Sequence, residues 1–407
     1  MPPSVNLSPE LQLLIAAARV ELRPQDESAI NDLLSAALDW NRLLTLATGH
    51  GIEPLLFHHL SKQPAALVPE KVMQTLRAGS RETAQRGMIL ASRLQGISDH
   101  LDARNIEHIL YKGPLFAEAY YGNCALRVFH DLDVIVPPGK IVLTRNALAE
   151  IGFVDKYGLD ETQQAASFRF GSQHLFTAPG GLDLDLHWRI IPNSISRSLD
   201  TAGIWKRVTR AAFFGREVPT LCPEDMMVVL CLHAGQHEWA RLSTLCDLGQ
   251  LLLKHPEMDW EIVRSHLRDS NTIRMLNVSL LLLRQHWPVQ IPPDFAARIS
   301  ADDHAAAMVE RIQTELWPEP ELEVSKQSQI RWLMARTAGE KLGDRLRFLI
   351  GNMLGPTLSD FEVFKLPRLL FPLYPVLRAL RLAYKYAAPS GTKKSSPEND
   401  HHFPGRS

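Results

Sequence analysis

Through residue 104 the apolar side chains recur three and four positions apart, and that period predicts helix. Leu11, Leu14, Ile15 and Val20 follow it, and Ser8-Pro9 reads as the N-cap and first residue of the opening helix. Between about 105 and 220 the period falls to two. Short strands are predicted at 109–110, 131–136, 153–156, 173–178 and 182–190, with helices near 114–121 and 140–150. Pro179-Gly180-Gly181 between the last two strands is a hairpin turn signal. Pro223-Glu224-Asp225 then opens a helix with acids in its first turn, and helical patterning runs to about 386. The expected organisation is a helical segment at 1–104, an α/β core at 105–220, a helical domain at 221–387 and a tail at 388–407. The tail is poor in apolar residues, which predicts disorder. No internal repeat is visible.

The chemistry concentrates in the core. Asp131 and Asp133 are two positions apart in HDLDVIV, so a strand over 131–136 projects both carboxylates from one face. Leu182 to Ile190 reads LDLDLHWRI and alternates strictly. Burial of Leu182, Leu184, Leu186 and Trp188 fixes the register, since a slip of one residue would bury the acids, and it leaves Asp183, Asp185 and His187 on the other face. Side-by-side carboxylates repel unless a cation joins them. Magnesium suits such oxygen-only pairs because it takes its remaining ligands from water and phosphates. A third carboxylate from a neighbouring strand completes a two-metal phosphoryl-transfer site and can accept the proton of an attacking hydroxyl.

Around this acidic trio, Lys112 stands just before Gly113-Pro114, which opens a helix after the first strand; its N-terminal amides and the lysine suit phosphate. Arg127, four residues before Asp131, reads either as a triphosphate contact or as half of a structural salt bridge. His187 is expected to orient Asp185 and stands with Lys112, Gly113 and Arg127 on the nucleotide side. Asp183 begins its strand and also reads as a solvated edge residue. His233 and His237 share a helical face, but the H-E-x-x-H order and a third ligand are missing, which argues against zinc.

The segments LYKG, RVFHDLDVIV and LDLDLHW together resemble the bacterial "uncharacterised nucleotidyltransferase" family of the DNA polymerase β-type nucleotidyltransferase superfamily. DWNRLLTLATGHGIEPLL, HAGQHEWARLSTLCDLGQLL and LPRLLFPLYPVLRALRL add to the likeness, which covers most of 35–385. In that superfamily a Gly-Ser pair opens a helix after the first strand, and the acidic pair lies on the next strand; here Lys112-Gly113 occupies the Gly-Ser position. The resemblance implies an α+β fold, with a polymerase β-like core of small mixed sheet and helices flanked by N- and C-terminal helical segments. It implies a nucleotidyltransferase that moves a nucleoside monophosphate from a triphosphate to an unidentified acceptor with release of pyrophosphate. Asp131 and Asp133 would bind both of two magnesium ions, manganese being the alternative, and Asp185 would be the third carboxylate and metal ligand. It also implies that the helix around 233–241 closes over the nucleotide, with Trp239 packing and Arg241 or Asp247 bracing it.

Composition narrows the partners. Forty-four basic against 45 acidic residues leave the total near neutral, so no strong sign of nucleic acid emerges. At 407 residues and 45% hydrophobic content the chain can bury a large core. Cys124, Cys222, Cys231 and Cys246 show neither C-x-x-C nor zinc-ribbon spacing and read as reduced thiols, which with the missing export signal predicts a cytoplasmic protein. No uninterrupted apolar run of about 18 residues predicts a transmembrane helix. The stretch 366–388 is broken by Pro367, Pro372 and Pro375 and by Arg368, Arg378, Arg381 and Lys385. It reads as a terminal helix docked on the body with solvated arginines, or else as a basic amphipathic segment on a membrane surface. Two other classes stay open: a glycosyltransferase using Asp131-Asp133 for a nucleotide sugar, which needs a larger α/β domain than the insert read here, and a non-catalytic nucleotide-binding protein on the same scaffold. P-loop and dinucleotide fingerprints are absent from the sequence.

Overall fold

Five helices precede the first strand: α1 (Pro9–Ala17), α2 (Pro24–Leu34), α3 (Trp40–His50), α4 (Glu53–Leu60) and α5 (Glu70–Asp102). The computed structural model describes residues 6–190, 201–269, 272–287, 289–319 and 354–387, so the tail expected to be disordered lies outside the described residues. Helix α1 starts where the sequence placed it, with Ser8 Oγ accepting from the Leu11 amide and Pro9 at the first helical position.

The middle of the chain forms one five-stranded mixed sheet. Its strands are β1 (Ile109–Leu110), β2 (Leu132–Ile135), β3 (Val154–Asp155), β4 (Gln173–Ala178) and β5 (Leu182–His187), in the order β1-β2-β5-β4-β3. Only β2 and β5 run parallel; the other neighbours are antiparallel. The connections carry α6 (Gly113–Phe116, continued by one π turn to Tyr121), α7 (Ile141–Glu150) and α8 (Glu161–Phe170). Pro179-Gly180-Gly181 makes the expected hairpin, with Gly180 and Gly181 at φ +88° and +75°, which only glycine adopts at little cost. Then come α9 (Thr201–Lys206) and a separate hairpin, β6 (Thr209–Phe213) with β7 (Arg216–Thr220). The hairpin and α8 were not read from the sequence.

Residue parity decides what the sheet does. Leu132, Val134, Leu184, Leu186 and Phe176 join the leucines of α5 in one buried cluster. Each such side chain is worth roughly 1.5–3 kcal/mol on burial, so a slip that traded them for carboxylates is strongly disfavoured. The opposite face carries Asp133, Ile135, Asp185 and His187. It is turned toward a second cluster, in which Ile135, Ile109 and Tyr111 meet the helical body.

That body joins both ends of the chain. Leucines of α1 to α5 share one core with α10 (Pro223–Gln236), α11 (Leu242–Lys254), α12 (Trp260–Asp269), α13 (Ile273–His286), α14 (Pro293–Ser300) and α15 (Asp303–Arg311). A last piece, α16 (Leu358–Val363), a 3-10 stretch at Arg368–Leu373 and α17 (Tyr374–Ala387), docks on α8 through Phe361, Phe371 and Tyr374. Here the expectation of solvated arginines is reversed for two of them, Arg378 and Arg381, while Arg368 is exposed. Arg378 is buried and its Nη1 donates to Asp360 at 3.0 Å, and Arg381 Nε donates to the same fully buried carboxylate at 2.7 Å. An aspartate taken out of water needs cationic partners, and these two supply them. No helix among the described residues is long and apolar enough to cross a membrane.

Candidate active site

Asp133 and Asp185 are register partners across β2 and β5. Parallel pairing puts directly opposed side chains on the same face, so both carboxylates stand side by side, 5% and 2% exposed. His187 lies two residues beyond Asp185 on that face. Ligand atoms of Asp133, Asp185 and His187 lie within 4.8 Å of one another. Asp131 immediately precedes β2 and is not one of this trio, although its charge and that of Asp133 raise the proton affinity of Asp185.

His187 was expected to orient Asp185, yet its Nε2 lies 3.0 Å from Asp133 Oδ1. Donation from Nε2 to that carboxylate leaves Nδ1 with the lone pair, and Nδ1 is buried with no partner. Tyr111 Oη also donates to Asp133 Oδ1, at 3.3 Å, and stands edge-on to the His187 ring. Gln173 Nε2 donates to Asp185 Oδ2 at 3.2 Å. Neither Tyr111 nor Gln173 was singled out from the sequence. The hairpin contained the signal for Gln173: pairing Ala178 with Leu182 places Gln173 opposite His187, beside Asp185.

Lys112 Nζ is 3.9 Å from Asp133 Oδ1 and 5.1 Å from the centre of the Tyr111 ring. Gly113 follows at φ +53°, and a Cβ there would meet the Asp131 carbonyl oxygen at 3.2 Å. This close approach ties the start of α6 to the residue that opens the acidic strand. Arg127 shows the salt-bridge alternative. Its Nε and Nη2 hold Asp247 of α11 at 2.8 and 2.7 Å, and Tyr121 Oη donates to the same carboxylate at 2.7 Å. Asp247 therefore braces α11 against the core. Trp239 is buried and donates to Ser279 Oγ at 2.8 Å, but it follows the end of α10 in a turn where Glu238 and Trp239 take φ +59° and +52°. Asp183 is held by Lys156.

The carboxylates are electrostatically unequal. Burial, and then the charge of Asp133, push Asp131 up to about 7. Asp185 is driven well above the usual carboxylate range by burial and by Asp133 and Asp131. For Asp133 burial also pulls upward, but Lys112 and His187 overcome it and hold the group down to about 2. Burial keeps His187 below its ordinary value and hence neutral. With Arg127 committed to Asp247, Lys112 is, among the described residues, the lysine or arginine within ion-pair range of Asp133. A divalent cation fits this imbalance. Asp133 and Asp185 offer hard oxygens, and a ring nitrogen of His187 lies in the same cluster.

A buried acidic pair on adjacent parallel strands, beside Lys112-Gly113 at a helix start, defines an acidic site of the metal-binding type on an α+β core. Residues 36–288, well over half of the chain, match the family model described as "Uncharacterised nucleotidyltransferase", and the chain belongs to that family. The match ends before α16 and α17. No curated protein and no solved structure matches the chain. Nucleotidyl transfer is thereby its general class of chemistry.

Proposed function

We propose that this protein is a magnesium-dependent, cytoplasmic nucleotidyltransferase that transfers a nucleoside monophosphate from a triphosphate to an acceptor and releases pyrophosphate. The observation that carries the reading is the Asp133–Asp185 register pair, buried beside Asp131. Asp131, Asp133 and Asp185 would hold two magnesium or manganese ions, which neutralise charge developing on the attacking and leaving oxygens.

The chain's own groups divide the remaining work. Lys112 and Gly113 receive the phosphates, and the lysine adds positive charge where the leaving pyrophosphate gathers negative charge. His187, neutral and fixed by Asp133, accepts a hydrogen bond at Nδ1 from a hydroxyl of the nucleotide. Asp185 takes the proton of the acceptor as its oxygen or nitrogen bonds to the α-phosphorus, while the bond from that phosphorus to the bridging oxygen breaks. Gln173 holds the Asp185 carboxylate in place. Arg127 acts through Asp247 and does not touch the triphosphate in this account.

The test is a screen of the four nucleoside triphosphates with magnesium against small-molecule, protein and RNA acceptors, reading pyrophosphate and transferred α-label. Label transfer that Asp133→Asn lowers by several orders of magnitude supports the reading. Equal transfer by the variant rejects it.

A further inference from the structure

The outer surface of the C-terminal piece is more apolar than the rest of the described residues. Of the sixteen large apolar side chains exposed among the described residues, eight fall between Leu354 and Tyr384. Leu369 is 92% exposed, and Leu370, Leu373, Val376, Leu380 and Tyr384 continue the surface. Val376, Leu380 and Tyr384 recur every four residues and so line one face of α17. The opposite face holds Tyr374 and Arg378 against the body. Arg378 and Arg381 close onto Asp360, and Gln163 of α8 donates to the Phe361 carbonyl at 2.8 Å. The helix therefore docks through Tyr374, Arg378 and Arg381 and presents Val376, Leu380 and Tyr384 outward, which is unusual for a surface helix.

Charge identifies what covers this face. Residues 363–387 contain five lysines and arginines and no acidic residue; Arg378 and Arg381 share the one carboxylate of Asp360, Lys365 lies 3.4 Å from Asp160 and Glu362 precedes the segment, so the piece keeps a net positive charge. Lys365 and Arg368 are exposed at the start of the apolar surface. A second copy of the chain meeting this face symmetrically would bring like charges together. An anionic bilayer complements both features, with acyl chains for the leucines and headgroup phosphates for the cations. Pro367, Pro372 and Pro375 break the segment into short pieces that lie along a surface.

We infer that the apolar face of 369–384 docks peripherally on an anionic lipid surface, leaving the acidic cleft on the body of the protein. The inference does not depend on the proposed reaction. Sedimentation of the full chain with vesicles tests it, using phosphatidylcholine alone and phosphatidylcholine mixed with phosphatidylglycerol. The protein is expected to sediment with the anionic vesicles and at least about tenfold less with the neutral ones. Leu373→Glu/Leu380→Glu, at two exposed positions, is expected to abolish sedimentation while circular dichroism and the melting midpoint stay unchanged. Arg368→Gln is expected to weaken it about fivefold. Wild-type protein that stays in solution with anionic vesicles, or a double variant that sediments equally, overturns the inference. So does a wild-type dimer that the double variant dissolves without any vesicle binding, since the face would then belong to a second copy.

Discussion

Asp133 and Asp185 oppose each other across two parallel strands, and His187 reaches back across the same strand boundary to Asp133. The two carboxylates consequently titrate in opposite directions although they share one face. Asp133 has a lysine and a histidine beside it. Asp185 has an uncharged amide and the charges of its fellow acids.

This asymmetry sets a pH dependence. Asp131, at about 7 against an ordinary 3.8, keeps a proton in the fold that the unfolded chain releases. Its contribution to stability is present at or below about 3.8 and is lost as pH rises through about 7. Asp133, at about 2, works the other way: its contribution is present above 3.8 and is lost as pH falls toward 2. Magnesium favours the charged carboxylates. The rise in melting temperature on adding magnesium should therefore grow as pH passes from the acid to the alkaline side of about 7. Melts across that range check it, and a shift independent of pH would contradict it.

Gly113→Ala should harm both fold and site. Position 113 sits at φ +53°, and the new Cβ would press on the Asp131 carbonyl at 3.2 Å. A cost of about 1–2 kcal/mol is expected from the left-handed backbone alone. Urea denaturation measures it, and magnesium-induced stabilisation should fall with it. A variant as stable and as metal-responsive as the wild type would show that this contact is not tight.

Arg127→Ala should act on stability first. Arg127 and Asp247 have side chains only 14% and 8% exposed, so the substitution leaves a buried carboxylate without its cation. The expected loss is about 3–5 kcal/mol. The pair Arg127→Ala/Asp247→Ala should cost clearly less than the two single losses added together, because both groups belong to one interaction. Additive losses in that cycle would remove the bracing role.

Much of this was legible in the sequence because it rests on alternation. The 173–178 strand, the Pro179-Gly180-Gly181 turn and the apolar parity of 132–136 and 182–188 follow from residue type and spacing. Strand order does not. Which residue His187 reaches depends on β5 lying next to β2, a long-range choice that no local pattern encodes. Asp131 has the parity of Asp133 but falls one residue outside the strand, so local spacing overstated how alike the two are. The partner of Arg127 lies 120 residues away on α11. In the C-terminal piece the arginines looked solvated because helical periodicity shows that two faces differ without showing which one is inside. Asp360 decides that.

Metal-dependent triphosphate binding is the sharpest test of the carboxylate site, because it needs no knowledge of the acceptor. Calorimetric titration of a nucleoside triphosphate into the wild type should show binding with manganese or magnesium that EDTA abolishes. Asp185→Asn is nearly isosteric but removes one carboxylate charge, so the fold should survive and the metal-dependent binding should weaken by at least about tenfold. Equal affinity with and without metal, or affinity unchanged in Asp185→Asn, would contradict the account and leave a scaffold that binds nucleotides without this chemistry.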